Sequence, residues 1–224
     1  MENTKYELLE SDTVIAPNGT RLFRIRALVA IAALGVNAGD LGGYIEKDTN
    51  LSQSGDAWVS GNARVSGNAQ VSGNALVSGN ALVYGDALVS DNAEVYGDAR
   101  VSGDARVYGD ALVSDNARVS GNARVSGDAR VYGDALVSGN AEVELSIHIG
   151  WHSHVGSENG TLTWFRSANG ISVNRGCFNG TLDEFRSAVQ KTHGDSVTAQ
   201  EYGHLIAFIE LRSSQWVPAA EKVA

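Results

Sequence analysis

Hydrophobic positions in the middle of the chain recur with a period of six residues. Alanine occupies every sixth position from Ala57 to Ala141, and valine follows two residues later, from Val59 to Val143. The segment therefore contains 15 consecutive units, mostly of the form Gly-Asn/Asp-Ala-x-Val-Ser/Tyr. A period of six fits neither the 3.6-residue period of an amphipathic helix nor a plain two-residue alternation. The pattern predicts a repeat architecture.

Each unit predicts a short strand at Ala-x-Val, followed by a corner at the Gly-Asn or Gly-Asp pair. Alanine and valine are two residues apart, so both side chains point to one face, which we expect to be the interior. Glycine permits a positive φ at the corner, and Asp91 and Asp115, which occupy glycine positions, tolerate it better than most residues. One unit cannot close a core alone, so we expect successive coils to stack valine on valine.

The repeat resembles the hexapeptide-repeat, left-handed parallel β-helix family. That family places a small residue four positions after an aliphatic one, as Val59–Ala63 and Val65–Ala69 do here. The resemblance covers about two-fifths of the chain. It implies three units per triangular coil and a left-handed turn. The 15 units would then form a shaft about 24 Å long.

Residues 1–54 break the period and predict an N-terminal β cap. A hairpin is expected around the turn at Pro17-Asn18-Gly19, and a further strand at residues 26–31. The inward pattern already includes Ile45, Thr49 and Leu51. Because eight residues separate Leu51 from Val59, we expect a two-residue bulge between them.

Residues 145–224 predict a small α+β domain beyond the shaft of residues 55–144. Residues 161–175 indicate a hairpin, with its turn at residues 168–170. Capping boxes at residues 181–184 and 198–201 predict two helices, the first ending near residue 192. The apolar set of the second helix is wide, which predicts burial on two sides.

Two segments outside the shaft resemble hypothetical hexapeptide-repeat proteins of enterobacterial phages and prophages. They are residues 39–60, where the chain enters the repeats, and residues 156–195 in the terminal domain. This resemblance implies a phage or prophage setting. It carries no activity that can be transferred to the chain.

Composition narrows the classes of function. The net charge of −9 and the pI near 5.0 argue against a general nucleic-acid-binding surface and against adsorption to anionic membranes. The N-terminus has no secretory pattern, and the longest apolar run, residues 27–34, is too short to span a bilayer. A single cysteine excludes an intramolecular disulfide. We therefore expect a location in the cytoplasm of a bacterial host cell.

Catalysis is not favoured by the residues of the shaft. Acyltransferases of the hexapeptide-repeat family use a histidine as general base, often beside a loop thrown out from a coil. Residues 55–144 contain no histidine, cysteine or lysine and no loop insertion. We expect no enzyme activity and no cofactor, and we keep an acyltransferase as an alternative.

Two clusters elsewhere in the chain could carry chemistry. His148, His152 and His154 share strand parity and could form a zinc site, although ordinary polar residues on an exposed strand explain them better. Cys177 with His193 could act as nucleophile and base, although a lone cysteine is more often a small buried side chain. We expect no metal and no catalytic residue.

The outer surface of the shaft offers no obvious binding stripe. Tyr84, Tyr108 and Tyr132 follow one another at intervals of four units, whereas three units would complete a coil, so they would lie on three different sides. Arginine and aspartate rows are mixed, as on solvated surfaces in general. The spacing is better explained by duplication than by a binding pattern.

Aromatic side chains of the terminal domain are the candidate partner-binding residues. They are Trp164, Phe165, Phe178, Tyr202 and Trp216. Such side chains commonly anchor protein interfaces. For any one of them, a place in the domain core is the favoured alternative.

These features predict a non-enzymatic phage or prophage accessory protein that binds a host protein. Inhibition of a host defence or regulatory protein is one form that this function would take. A virion or self-assembling structural protein and an acyltransferase are the alternatives. Assembly into a dimer or trimer stays open.

Overall fold

A computed structural model describes residues 4–216 and shows a parallel β-solenoid with a cap at each end. The repeated alanines and valines from Ala57 to Val143 are all buried, so the predicted inward face and the mainly β fold are confirmed. The shaft consists of fifteen two-residue strands, β4 to β18: Trp58–Val59, Arg64–Val65, Gln70–Val71, Leu76–Val77, Leu82–Val83, Leu88–Val89, Glu94–Val95, Arg100–Val101, Arg106–Val107, Leu112–Val113, Arg118–Val119, Arg124–Val125, Arg130–Val131, Leu136–Val137 and Glu142–Val143.

Each strand from β4 to β15 pairs in parallel with the third strand after it, so three units complete one coil. Val101, for example, pairs with Val83 on one side and Val119 on the other. The strands form three sides: the first holds β5, β8, β11, β14 and β17, the second β4, β7, β10, β13 and β16, and the third β6, β9, β12, β15 and β18. The left-handed turn implied by the family resemblance stays a prediction. With the entering segment the solenoid has about six turns.

The corners between sides require a backbone that glycine adopts most easily. Asp91 and Asp115 take its place with φ of 58° and 57°, as expected for residues that tolerate the left-handed region. A Cβ on Gly73 would lie 2.8 Å from the backbone nitrogen of Asp91 in the next coil. Close stacking of the coils therefore adds a steric requirement to the conformational one.

The N-terminal cap begins with a hairpin that extends the first side of the shaft. It is formed by β1 (Tyr6–Ile15) and β2 (Arg21–Ala27), which confirms the hairpin expected around the Pro-Asn-Gly turn. Then β3 (Leu41–Ile45) pairs with β2 and with β5. The strand predicted at residues 26–31 is wrong beyond Ala27. The chain turns there, since the Ala27 N–H donates to the Asp40 carbonyl and Ile31 bridges to Val36.

The entering coil contains the two extra residues that the spacing predicts. Leu51 pairs with Val71, whereas Val59 pairs with Val77, so the first of these coils is longer by two positions. The inward position predicted for Thr49 is wrong. A 3-10 turn at Asp48–Asn50 leaves Thr49 exposed and buries Asn50, whose amide satisfies shaft carbonyls described below.

The C-terminal domain is an antiparallel sheet followed by two helices. The sheet contains β19 (Ile149–Val155), β20 (Gly160–Ser167), β21 (Gly170–Arg175) and β22 (Phe178–Thr181), and the helices are α1 (Leu182–His193) and α2 (Val197–Ser213). The predicted hairpin is the pair β20–β21. The Thr181–Glu184 capping box of α1 is confirmed.

The start of α2 differs from the expectation. Ser196, rather than Thr198, caps the helix by accepting a hydrogen bond from the Ala199 N–H. Glu201 instead accepts from the Gly156 N–H at 2.9 Å, which ties the helix to the turn after β19. Burial on two sides is also wrong for part of α2, because Phe208 is 42% and Leu211 65% exposed.

Side chains of the sheet close the C-terminal end of the shaft. Phe165 is buried in the same hydrophobic core as the valines of the repeats. Thr163 Oγ1 accepts a hydrogen bond from the Leu136 N–H at 3.0 Å, and Asn174 Nδ2 donates to the Leu136 carbonyl at 2.7 Å.

The predicted divisions at residues 54/55 and 144/145 fall just before β4 and just after β18. Within residues 4–216, no helix combines the length and the apolar composition that a membrane crossing requires.

Candidate functional site

A groove of about 370 Å³ lies where the last coil of the shaft meets the terminal domain. We call it the junction groove and define it by its aromatic and cationic lining: Arg130, Tyr132, Trp151, His152, Trp164, Phe208 and Arg212. These residues come from β16 and its corner, from β19 and β20, and from α2. The groove exists only because the terminal sheet packs on the end of the shaft.

The shaft contributes Tyr132, at the corner that follows β16. The tyrosine occupies a position that holds serine in most units, and its ring meets Trp151 edge-on at 4.4 Å between centroids. A Cβ on Gly133 would lie 3.1 Å from Trp151 Nε1, so the corner glycine leaves room for the indole. This contact joins the surface of the shaft to that of the terminal domain.

The inner wall of the groove is formed by Trp164, which is only 4% exposed. His152 stacks on it at 5.3 Å, and Phe208 meets it edge-on at 5.9 Å. A Cβ on Gly150 would lie 2.1 Å from the Trp164 ring, so glycine is required beside it. The rings thus form one continuous aromatic wall from β19 to α2.

The rim of the groove exposes large apolar side chains. Tyr132 is 47% and Phe208 42% exposed, and Leu211 lies one helical turn beyond Phe208. Single exposed apolar residues are ordinary, but exposed aromatics grouped around one groove are typical of interaction sites. Aromatic side chains are also enriched at the energetic centres of interfaces.

Two arginines make the groove locally cationic in a chain whose net charge is −9. Arg130 lies on the second side of the shaft and Arg212 in the last turn of α2, where the helix dipole favours a cation. Both side chains are exposed, and neither forms an ion pair with another residue of the described part of the chain. Asp128 is two residues before Arg130, at the corner that precedes the strand.

A row of side chains leads from the shaft into the groove. Tyr96, Ser114 and Tyr132 occupy the same corner of the second side in successive coils. Tyr96 is 36% exposed, whereas Ser114 between the tyrosines is 3% exposed. Tyr84, Tyr108 and Tyr132 do follow three different sides, as predicted. Tyr96, two coils before Tyr132 on the same row, was not among the residues singled out from the sequence.

The five candidate partner-binding residues have different surroundings in the structure, and most of them are buried. Trp164, Phe165 and Tyr202 are at most 4% exposed and belong to hydrophobic cores, because the sheet packs on the shaft and on the helices. Of the five, only Trp164 borders the junction groove. Phe178 is half-buried against Phe185.

Trp216, the last of the five, is also half-buried and tied to the domain. Its Nε1 donates to the Ile147 carbonyl at 2.7 Å, and its ring lies 6.0 Å from that of His148. It therefore holds the segment after α2 against the turn that follows the shaft. This contact accounts for the tryptophan without invoking a partner.

The three histidines considered for zinc are not brought together. His148 is buried in a 3-10 turn and its Nδ1 accepts from the Glu144 N–H, His152 stacks in the groove, and His154 is exposed with φ of 61°. Within residues 4–216, no group of three or more potential ligands has the arrangement of a metal site.

Burial lowers the pKa of His148, and the nearby charge of Arg166 lowers it further, while Glu144 opposes the change. The imidazole is thereby favoured in its neutral form, which can accept the Glu144 N–H.

Cys177 and His193 also have separate surroundings. Cys177 is exposed on the turn before β22, so the expectation of a small buried side chain is wrong. The His193 ring lies 5.9 Å from that of Tyr202, at the end of α1. A nucleophile–base pair is not formed by these two residues.

Comparison with known families supports the repeat assignment. Residues 57–73, 69–85, 93–109, 105–118, 117–131 and 129–144 match the family described as YdcK beta solenoid repeat. The matches cover about a third of the chain, all of it in the shaft. A comparison with curated proteins found no match. The chain is therefore a repeat β-helix protein, with a shaft similar to the YdcK beta solenoid repeat.

Proposed function

We propose that this chain is a non-enzymatic binding protein that engages a host protein through the junction groove. The observation that carries the proposal is the groove itself. Exposed Tyr132 and Phe208 border a wall containing Trp164, beside Arg130 and Arg212 that lack ion-pair partners among residues 4–216. Aromatic residues and arginine are the types most enriched at the centres of protein interfaces.

A protein is favoured as partner over a nucleic acid on electrostatic grounds. Binding to a phosphate backbone draws on many lysines and arginines spread over one surface. Two arginines beside an aromatic wall, in a chain of net charge −9, fit a protein segment with an apolar anchor and acidic neighbours better.

The family resemblance supplies the biological setting of the proposal. Residues 39–60 and 156–195 resemble hypothetical proteins of enterobacterial phages and prophages. We therefore place the protein in the bacterial cytoplasm, as a phage or prophage accessory protein that binds a host defence or regulatory protein and blocks it.

Affinity capture with matched variants tests this function. Tagged wild-type chain and the variants Tyr132→Ser, Phe208→Gln and Tyr108→Ser are used to capture partners from bacterial lysate, followed by mass spectrometry. Serine is the common residue at the corner positions, so Tyr132→Ser and Tyr108→Ser should both keep the fold. Tyr108 lies on another side of the shaft and is the control.

We expect one protein to be captured by the wild type and by Tyr108→Ser, and to be lost with Tyr132→Ser and Phe208→Gln. Equal capture by all four chains, or no specific capture, contradicts the proposal. Capture of further copies of the chain alone would favour a self-assembling structural protein instead. Calorimetric binding of acetyl-CoA would favour the acyltransferase alternative.

A further inference from the structure

A second cavity lies far from the junction groove, under the tip of the β1–β2 hairpin. The tip covers part of the outer surface of the first side and encloses a volume of about 280 Å³. Pro17 and Leu22 contribute from the hairpin, and Leu82 and Tyr84 from the shaft. We call this cavity the hairpin pocket.

Contacts within the N-terminal cap, some of them in the wall of the pocket, hold the hairpin in place. Leu22 is fully buried and packs with Ala16 and Tyr44 in a separate small cluster. Arg24 forms an ion pair with Asp12 at 2.8 Å and lies over the Tyr44 ring, 4.3 Å from its centroid. Because these contacts fix the hairpin, the pocket is a preformed feature of the fold.

Two guanidinium groups flank the apolar surface of the pocket. Leu82 pairs in register with Arg64 on one side and Arg100 on the other, so the arginines lie one coil before and one coil after it. The coil spacing is about 4.8 Å. In contrast to Arg24, neither has an ion-pair or hydrogen-bond partner for its side chain among the residues that the structure describes. Asp98 is two residues before Arg100, at the corner of the strand.

We infer that the hairpin pocket binds a small amphipathic anion, such as a carboxylate with an apolar chain or ring. Arg64 and Arg100 would hold the anionic head, since guanidinium groups bind carboxylates through paired hydrogen bonds. Leu82, Tyr84 and Pro17 would cover the apolar body. An apolar cavity with a few convergent polar groups is the usual form of a small-molecule site. The inference does not depend on the proposed partner of the junction groove.

Octanoate and its neutral counterpart octanol are suitable probes. Isothermal titration calorimetry on the full chain measures affinity, and methyl chemical shifts of Leu22 and Leu82 report the place of binding. We expect saturable binding of octanoate with shifts at both leucines, and binding of octanol that is about tenfold weaker, because it lacks the charge-assisted hydrogen bonds.

The variants Arg64→Gln and Arg100→Gln should each weaken octanoate binding about tenfold, on the same grounds. Arg118→Gln is the matched control. Arg118 follows Arg100 in the same row, is exposed and lacks an ion pair among residues 4–216, but it does not line the pocket. Equal affinity for octanoate and octanol, an equal loss with Arg118→Gln, or absence of saturable binding to the wild type would each overturn the inference.

Discussion

Side chains complete the backbone hydrogen bonds at the N-terminal end of the shaft. Within the shaft, N–H groups of one coil donate to carbonyls of the next, as Trp58 does to Ala75 at 2.9 Å. Carbonyls of the first coil must therefore find donors in the cap. Asn50 Nδ2 donates to Gly67 and Ala69 at 3.1 and 2.8 Å.

Lys5 provides the second such cap, on another side of the shaft. Its Nζ donates to the carbonyls of Gly55 and Ala57 at 3.3 and 2.8 Å. Burial lowers the pKa of this amine to about 8, although Asp56 opposes the change. Buried polar side chains of the cap thus donate the hydrogen bonds that a preceding coil would supply.

Asn50→Leu should destabilise the protein by about 2–4 kcal/mol, since it leaves one buried and one part-buried carbonyl without donors. Asn122→Leu, at an exposed corner, should change stability by less than about 0.5 kcal/mol. The free energy of unfolding in urea measures both. Similar losses for the two variants would show that Asn50 has no special capping role.

Val101→Asp should be severely destabilising, because Val101 is fully buried between Val83 and Val119. A carboxylate there has no partner, and we expect a loss above about 4 kcal/mol or no folded protein. Ser102→Asp, the next residue and half-exposed, is the control and should fold. Circular dichroism during thermal unfolding distinguishes the two. A stable, cooperatively unfolding Val101→Asp variant would contradict the interior valine stack.

His148 should make stability depend on pH below neutrality. Its pKa is lowered in the folded state, so between that value and the ordinary value of 6.5 the unfolded chain binds more protons. Stability is thus fully present above pH 6.5 and decreases as pH falls toward the lowered pKa.

His148→Gln should remove this part of the pH dependence. The free energy of unfolding in urea is measured for the wild type and the variant at pH 7.5 and at pH 5.5. The change between the two pH values is then compared between the two proteins. The same pH dependence in the variant and in the wild type would show that His148 does not contribute.

At the scale of elements, every six-residue unit is equivalent in the core. Deletion of residues 97–102 should therefore keep valine stacked on valine, since each stacked partner is replaced by a residue of the same type. We expect a cooperatively unfolding protein with a midpoint only a few degrees lower. Deletion of residues 98–100 should abolish folding, because it shifts the repeat by half a unit. Thermal circular dichroism tests both, and equal stability of the two deletions would contradict a register set by the repeat.

The same equivalence explains how much of the fold could be predicted from the sequence. Alanine, valine and the corner residues recur at equivalent positions in 15 units. The local preference of each unit therefore agrees with the global fold, and the shaft can be predicted directly from the sequence. The two extra residues before Val59 could be predicted because eight residues, rather than six, separate Leu51 from Val59. The Asn50 turn and the Ser196 cap of α2 were missed because tertiary hydrogen bonds, such as that from Gly156 to Glu201, decide them.

The candidate site was far less predictable. Tyr132, Trp151 and Phe208 are separated in the chain and meet only when the terminal sheet packs on the last coil. Aromatic content alone pointed to Trp164, Phe165 and Tyr202, which the sheet and helices bury. The repeat offered one usable signal, the shared row of Tyr96 and Tyr132.

At the scale of the whole molecule, the shaft separates two surfaces of different chemistry. The junction groove lies at the C-terminal end, beside the second side, and the hairpin pocket lies near the N-terminal end, on the first side. Tyr132→Ser should therefore abolish partner capture without changing octanoate affinity, whereas Arg100→Gln should weaken octanoate binding about tenfold without changing partner capture. Calorimetry with octanoate and affinity capture on the same preparations check this separation. Loss of both activities in either variant would indicate a global change instead.

Amide hydrogen exchange of the chain with and without its captured partner locates the binding surface on the intact molecule and so tests whether the partner binds at the junction groove. We expect slower exchange at residues 130–132, 149–152 and 205–212, which surround the junction groove. We also expect Tyr132→Ser to reduce this protection at equal partner concentration and Tyr108→Ser to leave it unchanged. Protection confined to the third side of the shaft or to the N-terminal cap, with residues 149–152 and 205–212 unchanged, would contradict the assignment of the groove as the binding surface.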